Sequence, residues 1–377
     1  MEQLCGIRPV RLEIDLDNLT NNIQEIRRLV GNETLIMATV KANAYGHGAE
    51  VCGKVFLENG ANRLAVSVLS EGIALRNAGI NAPILLLNFT PYSQYKELLK
   101  YDLIQTIYNY HDAKLLSEEA GKLEKKAKIH IKIDSGMNRI GFLPNETSLE
   151  SIIKITELPY IEVEGIYTHF SNADKSDKSY TKKQFQNFKW ILDRLEESNV
   201  NIPIKHAANS ATILDLPEYK LNMVRPGIIL YGHYPSEFVN KNIIDIKPAM
   251  SLISGISNIK DIEKGEGIGY GQTFITERKS KIATLPLGYA DGYSRMLSNK
   301  AYVLIKNKRV PIVGNICMDQ LMIDITEIDD VDLNDEVILF GYSHKNDPQI
   351  EELAELIGTI NYEILCMISM RVPRIYI

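Results

Sequence analysis

Between residues 35 and 225 the chain repeats one pattern, in which a short apolar, β-favouring run is followed by an amphipathic helical stretch such as 183–196. This alternation predicts parallel strands joined by crossover helices. The apolar runs lie at 36–40, 64–68, 84–87, 103–107, 129–133, 163–168, 202–205 and 222–224. Eight such repeats predict an α/β fold with an N-terminal (β/α)8 TIM-like barrel.

The pattern changes after about residue 240, where short alternating runs are separated by turn residues. This texture is typical of a mostly β C-terminal domain. A chain of 377 residues is long enough for a large barrel and a smaller domain. We therefore predict a barrel domain at 11–240 and a β domain at 241–377. A strand at 11–14 and a helix at 17–30 precede the barrel, and residues 1–14 are candidates to pack on the β domain.

Lys41 follows the first predicted strand, at the end where such barrels place their reactive groups. The small residues and glycines of 42–48 allow a sharp turn before a helix that begins near Ala49. A lysine at a semi-enclosed strand end can lose its proton and condense with a carbonyl group. The alternative is a surface lysine that extends into water. Tyr45 is near enough along the chain to share the same site.

Other polar residues also follow predicted strands. They are the segment 134–139 after the fifth strand, His169 after the sixth, 206–210 after the seventh and Arg225 after the eighth. Taken singly, Arg139 could belong to a salt bridge at the barrel rim, and His169 could be a core histidine. Their occurrence at one end of the barrel favours a functional site instead.

The loops after the last two strands predict a phosphate site. Barrels of this type often bind phosphate through backbone amides of the loops that follow strands seven and eight. Ser210 follows the seventh strand, and the segment 224–228 follows the eighth. A phosphorylated ligand beside a reactive lysine is implied, and pyridoxal phosphate meets both requirements.

Four glycines alternate around Tyr270, at positions 265, 267, 269 and 271. A dinucleotide-binding loop needs a strand before it and a helix after it, whereas residues 273–281 are typical of a polar hairpin connection. Two interpretations therefore remain: a simple turn, and a flexible backbone that presents Tyr270 at a surface.

The composition is that of an ordinary, mildly acidic globular protein, with 45% hydrophobic residues, 24% charged residues and a formal net charge of -6. No basic run interleaved with aromatic residues indicates nucleic-acid binding, and no apolar run is long enough to span a membrane. The cysteines at 5, 52, 317 and 366 form no C-x-x-C pair, which argues against a metal site or a disulfide framework. With no signal-like start, a cytoplasmic protein without nucleic-acid or membrane partners is expected.

Taken together, these motifs resemble those of the alanine racemase family, the pyridoxal-phosphate enzymes of fold type III with an N-terminal barrel and a C-terminal β domain. The segment 40–48 is similar to the family's cofactor-lysine signature. Further similarities, in matching order and spacing, lie at 134–141, 168–174, 224–232, 269–274, 287–293, 314–320 and 359–363. The resemblance covers nearly the whole chain. It implies a homodimer that interconverts L-alanine and D-alanine and supplies D-alanine for peptidoglycan.

The resemblance also implies two opposed bases. Lys41 would bind the cofactor and exchange a proton on the D-alanine face of Cα, while Tyr270 of the partner subunit would serve the L-alanine face. A single fixed base cannot easily reach both faces. The side chain of a free tyrosine keeps its proton up to about pH 10. The resemblance therefore assigns His169, hydrogen-bonded to Arg225, to assist this tyrosine.

The remaining family positions imply contacts with cofactor and substrate. Arg225 would face the pyridine nitrogen and leave it unprotonated, which favours reprotonation at Cα. Arg139 would contact the cofactor phenolate and the substrate carboxylate, with help from the backbone of the partner's Met318. The implied phosphate ligands are Tyr45, Ser210, Gly227, Ile228 and Tyr362.

Two further sets of positions follow from the resemblance. Lys132 matches a position that is carbamylated in some relatives and would then orient Arg139. Tyr289, Arg295 and Asp174 match residues that line the family's substrate entrance between subunits. Ordinary polarity at the rim of an interface is the other interpretation of these three residues.

Three other functions stay open. A serine racemase of the vancomycin-resistance type shares the architecture, but its residue at the position of Tyr362 tends to be smaller and polar. A fold-related pyridoxal-phosphate amino-acid decarboxylase has a characteristic cysteine-containing segment and a carboxylate for the pyridine nitrogen, and neither is evident here. A nonenzymatic cofactor carrier would need only the barrel, so the β domain with Tyr270 and Met318 argues against it.

Overall fold

The structure of the protein is a computed structural model that describes residues 8–377. Two compact units divide these residues. The first, here called the barrel unit, comprises Asn18–Ala44 and Gly48–Lys247. The second, the β unit, comprises residues 8–17, Tyr45–His47 and Pro248–Ile377. The domain bounds predicted from the sequence, 11–240 and 241–377, stay a prediction. Cys5 lies outside the described residues.

The eight predicted barrel strands are confirmed. The described chain begins with β1 (Arg11–Ile14) and α1 (Leu16–Val30), close to their predicted bounds. The barrel strands are β2 (Leu35–Thr39), β3 (Arg63–Val66), β4 (Ile84–Leu86), β5 (Ile104–Ile107), β6 (Ala127–Lys132), β7 (Ile161–Tyr167), β8 (Ile204–His206) and β9 (Met223–Val224). All neighbouring strands pair in parallel, and β9 returns to β2 to close the ring.

Helices connect most of these strands, as the alternating pattern predicts. They are α3 (Ala49–Glu58), α4 (Leu69–Asn77), α5 (Tyr95–Lys100), α6 (Tyr110–Lys122), α7 (Glu146–Thr156), α8 (Ser179–Glu197) and α9 (Ser210–Asp215), and the short segment α2 (Lys41–Tyr45) before them has a left-handed backbone. Asparagine side chains cap three of them, because Asn109, Asn145 and Asn209 each accept a hydrogen bond from a backbone amide of the first turn.

An apolar layer fills the barrel interior, with one side chain from each of seven strands. Its members are Met37, Ala65, Leu85, Ile104, Tyr167, Ile204 and Met223. Such layers make the interior of a (β/α)8 barrel a packed core. The one barrel strand that does not contribute to this layer, β6, carries the buried polar side chains His130 and Lys132.

The β unit contains the strands β10 (Met250–Gly255), β11 (Asn258–Ile262), β12 (Gly267–Ile268), β13 (Phe274–Ile275), β14 (Ser280–Leu285), β15 (Tyr302–Ile305), β16 (Lys308–Pro311), β17 (Leu321–Asp324), β18 (Glu336–Phe340) and β19 (Arg374–Tyr376). They form a six-stranded sheet, β16-β15-β18-β10-β1-β19, a three-stranded sheet and a hairpin. Strand β1 pairs antiparallel with β10 and parallel with β19. Helices α10 (Ile350–Ile357) and α11 (Asn361–Met367) complete this mostly β unit.

The described residues contain neither a membrane-spanning helix nor a cluster of metal-binding side chains. Across residues 8–377, no helix is long and apolar enough to cross a membrane. The same part of the chain holds no group of three or more histidine, cysteine or acidic side chains that could bind a metal ion. No disulfide joins the described cysteines, Cys52, Cys317 and Cys366.

Candidate active site

Lys41 stands directly after β2 and is followed by a left-handed turn. The φ angles are +52° at Ala42, +52° at Asn43, +54° at Ala44 and +51° at Tyr45. Each non-glycine residue in this conformation costs roughly 1–2 kcal/mol, and such strain is concentrated at functional sites. The sharp turn is thus present, but alanine, asparagine and tyrosine form it and the predicted glycines follow it.

Hydrogen bonds hold this strained turn in place. The amide of Ala44 donates to the carbonyl of Val40 at 2.8 Å. The amide of Ala42 donates to Oε1 of Glu71 at 2.6 Å, and Asn43 accepts from the amide of Ala49 through Oδ1 at 2.9 Å. The backbone that carries Lys41 is therefore fixed by partners from α3 and α4.

Arg225 follows β9 and is almost fully buried, with 5% of its surface exposed. Its Nη1 donates to Nδ1 of His206 at 2.7 Å. Its Nη2 donates to the carbonyl of Thr168 at 2.7 Å, to that of Ala207 at 3.2 Å, and to Nδ1 of His169 at 3.2 Å. No acidic side chain among the described residues forms an ion pair with Arg225, and burial lowers the pKa of its guanidinium to about 10.

The half-buried His169 is neutral at physiological pH. Burial lowers its pKa well below the usual value, and the positive charges of Arg225, Lys132, Arg139 and Lys41 lower it further. Because a guanidinium can only donate, Nδ1 of His169 must be the acceptor, and the ring proton is on Nε2. The hydrogen bond between His169 and Arg225 leaves an N–H group on the far side of the imidazole.

Lys132 is buried at the end of β6, with 3% of its surface exposed. Its ammonium donates to the carbonyl of Ile133 at 2.7 Å and lies 5.4 Å from the ring centroid of Tyr167. Burial and the nearby charge of Arg225 lower its pKa to about 7. A substantial share of the side chains is therefore uncharged at neutral pH.

The loop that carries Arg139 is organised by Asp134. The carboxylate accepts hydrogen bonds from the amides of Gly136 at 3.0 Å, Asn138 at 2.9 Å and Arg139 at 2.9 Å. Gly141 closes the loop with φ +136°, and a Cβ atom there would lie 2.3 Å from the backbone nitrogen of Asp134. The segment is thus a fixed platform that requires glycine at its end, and it sets the position of Arg139.

Ser210, Gly227 and Ile228 form one cluster in the barrel unit. Ser210 begins α9, Ile228 begins the short 3-10 turn Ile228–Tyr231, and the amide of Gly227 donates to Oγ of Ser210 at 2.9 Å. The first turn of a helical segment has N–H groups without partners inside that segment. Two such starts at one place make a set of donors suited to a phosphate group.

Tyr270 lies at the tip of the hairpin formed by β12 and β13, with 73% of its surface exposed. Gly269 and Gly271 flank it, each with φ +70°. The side-chain amide of Asn315 donates to the carbonyl of Tyr270 at 2.7 Å. The alternating glycines therefore belong to a hairpin that presents a tyrosine, and no helix follows that could complete a dinucleotide-binding loop.

The other predicted residues of the β unit form two pairs. The rings of Tyr45 and Tyr362 have centroids 6.1 Å apart. Burial, with the neighbouring Tyr362 and Cys366, raises the pKa of Tyr45, so its hydroxyl stays protonated. Tyr289 is tied to the loop that contains Met318, because the amide of Ala290 donates to the carbonyl of Met318 at 3.0 Å.

The other two predicted entrance residues are Arg295 and Asp174. Arg295 is exposed and begins a short 3-10 turn of the β unit. Asp174 belongs to the barrel unit, where its backbone carbonyl accepts from Oγ of Ser236 at 2.5 Å.

The contacts that Tyr167 and Thr168 make in the barrel site were not predicted, although Thr168 begins the segment 168–174 that the resemblance singles out. Tyr167 stacks on His206 with centroids 4.7 Å apart and lies 5.0 Å from the guanidinium of Arg225. Thr168 supplies the carbonyl nearest to that guanidinium. The one available signal was the adjacency of Tyr167 and Thr168 to His169, because the tyrosine itself resembles an ordinary core residue of a strand.

The fold and this set of side chains define a two-domain α/β-barrel enzyme with its polar groups at the carboxyl ends of the barrel strands. The chain belongs to the alanine racemase family. The model for the alanine racemase N-terminal domain matches residues 14–235, and that for the C-terminal domain matches residues 249–376.

Known relatives are similar along nearly the whole chain. The alanine racemase of Clostridium tetani is 54% identical over 372 residues, which cover 98% of this chain and 96% of that protein. The solved alanine racemase of Clostridium difficile 630 is 47% identical, with a TM-score of 0.94 and coverage of 98% of this chain and 96% of that one. That of Bacillus anthracis, solved with bound L-Ala-P, is 40% identical, with a TM-score of 0.91 and coverage of 98% and 95%.

Proposed function

We propose that the protein is an alanine racemase that interconverts L-alanine and D-alanine with pyridoxal phosphate, in a homodimer with shared active sites. The observation that carries the proposal is the neutral His169, hydrogen-bonded to the buried Arg225 near Lys41, in a chain that matches both domains of the family. Racemisation requires proton exchange on both faces of Cα. Lys41 can serve one face, and His169 can assist the base that serves the other.

The barrel unit fits pyridoxal phosphate. The cluster of Ser210, Gly227 and Ile228 offers donors to the phosphate, and Tyr45 and Tyr362 of the β unit are further candidates. No acidic side chain of residues 8–377 pairs with the buried Arg225, which presents a donor-only group that suits a ring nitrogen that stays unprotonated. Bound pyridoxal phosphate would supply the electron sink for the charge left at Cα when its proton is removed.

Lys41 holds the cofactor and moves the proton on the D-alanine face of Cα. The phenolic oxygen of the partner subunit's Tyr270 moves the proton on the L-alanine face. Two features support this assignment: a subunit exposes 73% of its own Tyr270 at a hairpin tip, and the Nε2–H of His169 is available to donate to a phenolate. A donated hydrogen bond favours the charged form of a phenol, so His169 makes this tyrosine a better base.

Arg139 binds the substrate carboxylate and the cofactor phenolate, together with the backbone of the partner subunit's Met318. A carbamate at Lys132 would improve the position of Arg139. With its pKa near 7, Lys132 can add its neutral amine to carbon dioxide and release one proton, forming a carbamate. The change replaces a cation that repels Arg139 and Arg225 with an anion that attracts them.

Alanine is favoured over serine as the substrate. Tyr362 fills its position with a large ring packed near Tyr45, where the serine racemases tend to carry a smaller polar residue. The L-Ala-P complex of the Bacillus anthracis relative is consistent with an alanine-sized ligand. Tyr289, Arg295 and Asp174 line the substrate entrance, and the product serves peptidoglycan synthesis in the cytoplasm.

The experiment is a coupled assay of purified protein with added pyridoxal phosphate, in which D-alanine formation from L-alanine is followed. Lys41→Ala should abolish turnover, with Lys54→Ala on the exposed face of α3 as the matched control. Tyr270→Phe should slow proton removal from L-alanine far more than from D-alanine, with the exposed Tyr302→Phe as its control. Proton removal is read as exchange of the α-proton with D2O for each enantiomer, because the equal stability of L- and D-alanine makes racemisation itself slow equally in both directions. Equal slowing of the two exchange rates would contradict the assignment of Tyr270 to one face.

The same purified protein, assayed for L-serine turnover, carbon dioxide release and cofactor binding, separates the alternatives. Faster turnover of L-serine than of L-alanine would make the protein a serine racemase. Release of carbon dioxide from an amino acid would support the decarboxylase, and cofactor binding without any turnover would support a carrier.

A further inference from the structure

A chain of polar side chains, partly buried at Arg63 and Glu164 and buried beyond them, crosses the barrel interior and ends at Arg225. The proposed function uses only this last member. Arg63 on β3 and Glu164 on β7 lie on opposite sides of the eight-stranded ring and form a bidentate pair, with contacts of 2.6 and 2.9 Å. Oε2 of Glu164 also contacts Nε2 of His130, on β6, at 3.0 Å. The polar interior of the barrel is therefore anchored by one carboxylate.

Two imidazoles connect this carboxylate to the guanidinium of Arg225. Nδ1 of His130 lies 2.8 Å from Nε2 of His206, and Nδ1 of His206 lies 2.7 Å from Nη1 of Arg225. Both histidines are fully buried. The links thus run without a gap from Glu164 through His130 and His206 to Arg225.

The positions of the protons in this chain follow from its two ends. Arg225 can only donate, so Nδ1 of His206 accepts and its proton is on Nε2. That proton is donated to Nδ1 of His130, whose own proton on Nε2 is donated to Glu164. Both rings are therefore neutral Nε2–H tautomers, and burial lowers the pKa of each.

Packing fixes the two rings in these positions. A Cβ atom added to Gly165 on β7 would lie 2.5 Å from Cε1 and Nδ1 of His130, so the ring of His130 occupies the space that this glycine leaves. The ring of His206 stacks on Tyr167. These contacts hold each ring against one neighbour, and the hydrogen-bond distances at both nitrogens of each ring fix which atom meets which partner.

We propose that Glu164 is a positioning residue for Arg225: it fixes the tautomers of His130 and His206, and thereby the orientation of the guanidinium that faces the cofactor. The inference rests on the proposed function for what Arg225 does, but not for the hydrogen-bond chain itself. Glu164 also compensates the charge of a buried cation that has no carboxylate of its own, because hydrogen bonds in a buried chain polarise one another.

Glu164→Gln removes the negative charge and replaces an acceptor with an N–H donor, while the side chain keeps nearly the same size. In the wild-type protein Oε2 accepts from Nη1 of Arg63 and from Nε2 of His130, and Oε1 accepts from Nη2 of Arg63. Glutamine with its oxygen in the place of Oε2 keeps the first two bonds, but its amide N–H groups then oppose Nη2 of Arg63. With its oxygen in the place of Oε1 instead, its amide nitrogen faces His130 as a donor. His130 must then accept at Nε2 and place its proton on Nδ1, against Nε2–H of His206. The conflict passes along the chain, and it can be relieved only by a changed tautomer of His206 or by movement of Arg225.

The test uses the intact enzyme loaded with pyridoxal phosphate and reads histidine tautomers by 15N NMR, with His130→Asn to assign the signals. The wild-type protein should show His130 and His206 as neutral Nε2–H tautomers between about pH 6 and pH 8. Glu164→Gln should show a mixture of tautomers at both rings. The matched control is Glu162→Gln, an exposed position on the same strand, which should show the wild-type spectrum.

Kinetics and cofactor binding supply the second readout. Glu164→Gln should lower kcat for alanine by about tenfold, the lower end of the effect of residues that directly support metal ligands, because two imidazoles separate Glu164 from Arg225. The KM should change less than about twofold, and the pyridoxal-phosphate concentration for half-reconstitution should rise. A purely structural role would lower the amount of folded protein and leave the spectrum, kcat and KM of the folded fraction unchanged.

Three results would overturn the proposal. A charged or Nδ1–H imidazole at either position of the wild-type protein would do so even where Glu164→Gln fails to fold. Unchanged tautomers in the variant, or an unchanged kcat, would do so as well. A wild-type protein that shows the predicted tautomers but does not racemise alanine would refute the proposed function and leave the hydrogen-bond chain intact.

Discussion

Replacing Gly165 with alanine should destabilise the barrel through one identifiable contact. Gly165 is a strand residue without a positive φ angle, so its backbone suits alanine, and the added Cβ would lie 2.5 Å from two ring atoms of His130. Overpacking of this kind costs about 1–3 kcal/mol. Displacement of the ring also disturbs its hydrogen bonds, and one to a charged group contributes about 1.5–3 kcal/mol. We expect a total loss of about 3–5 kcal/mol in the free energy of unfolding.

Urea unfolding monitored by tryptophan fluorescence measures this loss of stability in the barrel unit. Trp190 is the only tryptophan and lies on α8 of the barrel unit, so its signal reports on the barrel. The control is Gly165→Ala in a His130→Ala background, where the vacated space accepts the new methyl group. There the same substitution should cost less than about 1 kcal/mol. Additivity of the two substitutions within about 0.5 kcal/mol would refute the reasoning, because residues in contact should couple.

Three further predictions concern the platform and the titrating groups. Gly141→Ala should raise the KM for alanine in steady-state assays, because its Cβ would lie 2.3 Å from the backbone of Asp134 and would displace Arg139; an unchanged KM would show that this loop does not position substrate. The pKa of Lys132 is about 7 in the folded protein, whereas that of an ordinary, solvated lysine is 10.5. The unfolded state therefore binds more protons between these values, and stability should rise with pH across this window. Lys132→Met should flatten that rise in urea unfolding with CO2-free buffer, and an equally steep rise in the variant would contradict the shifted pKa. The pKa of Glu164 is about 2, against 4.5 for an ordinary glutamate, because the hydrogen bonds from His130 and Arg63 and the charge of Arg63 outweigh the effect of burial. Its stabilisation is complete above pH 4.5 and is lost as pH falls towards 2, so acid unfolding of Glu164→Gln should lack this component, and a wild-type acid profile would count against it.

Much of the barrel could be predicted because its signals are local. Each strand is a short apolar run, and the count of eight together with the known end for active sites located Lys41 and Arg225. The observed bounds differ from the predicted ones by no more than two residues. For the same reason the sequence left only two interpretations of the segment around Tyr270, since its four glycines lie within seven residues.

The internal hydrogen bonds of the barrel could not be predicted, because their partners are distant in sequence. Glu164 lies 101 residues from Arg63 and 34 from His130, and His206 lies 76 residues from His130. Each of these residues, taken alone, resembles a polar interruption of a strand. A sharp turn after Lys41 was predicted, but its left-handed conformation was not, since alanine and tyrosine do not favour it and partners such as Glu71 stabilise it.

Subunit mixing tests most directly whether two chains share the site. Lys41→Ala and Tyr270→Phe chains, each inactive or strongly impaired alone, are unfolded together in equal amounts and refolded with pyridoxal phosphate. If Tyr270 acts in the partner's site, half of the dimers are mixed and each has one intact site, so activity should recover to about a quarter of wild type. Lys54→Ala mixed with Tyr270→Phe controls for refolding. Activity no higher than that of the separate variants, from mixtures shown to contain hybrid dimers, would contradict the account.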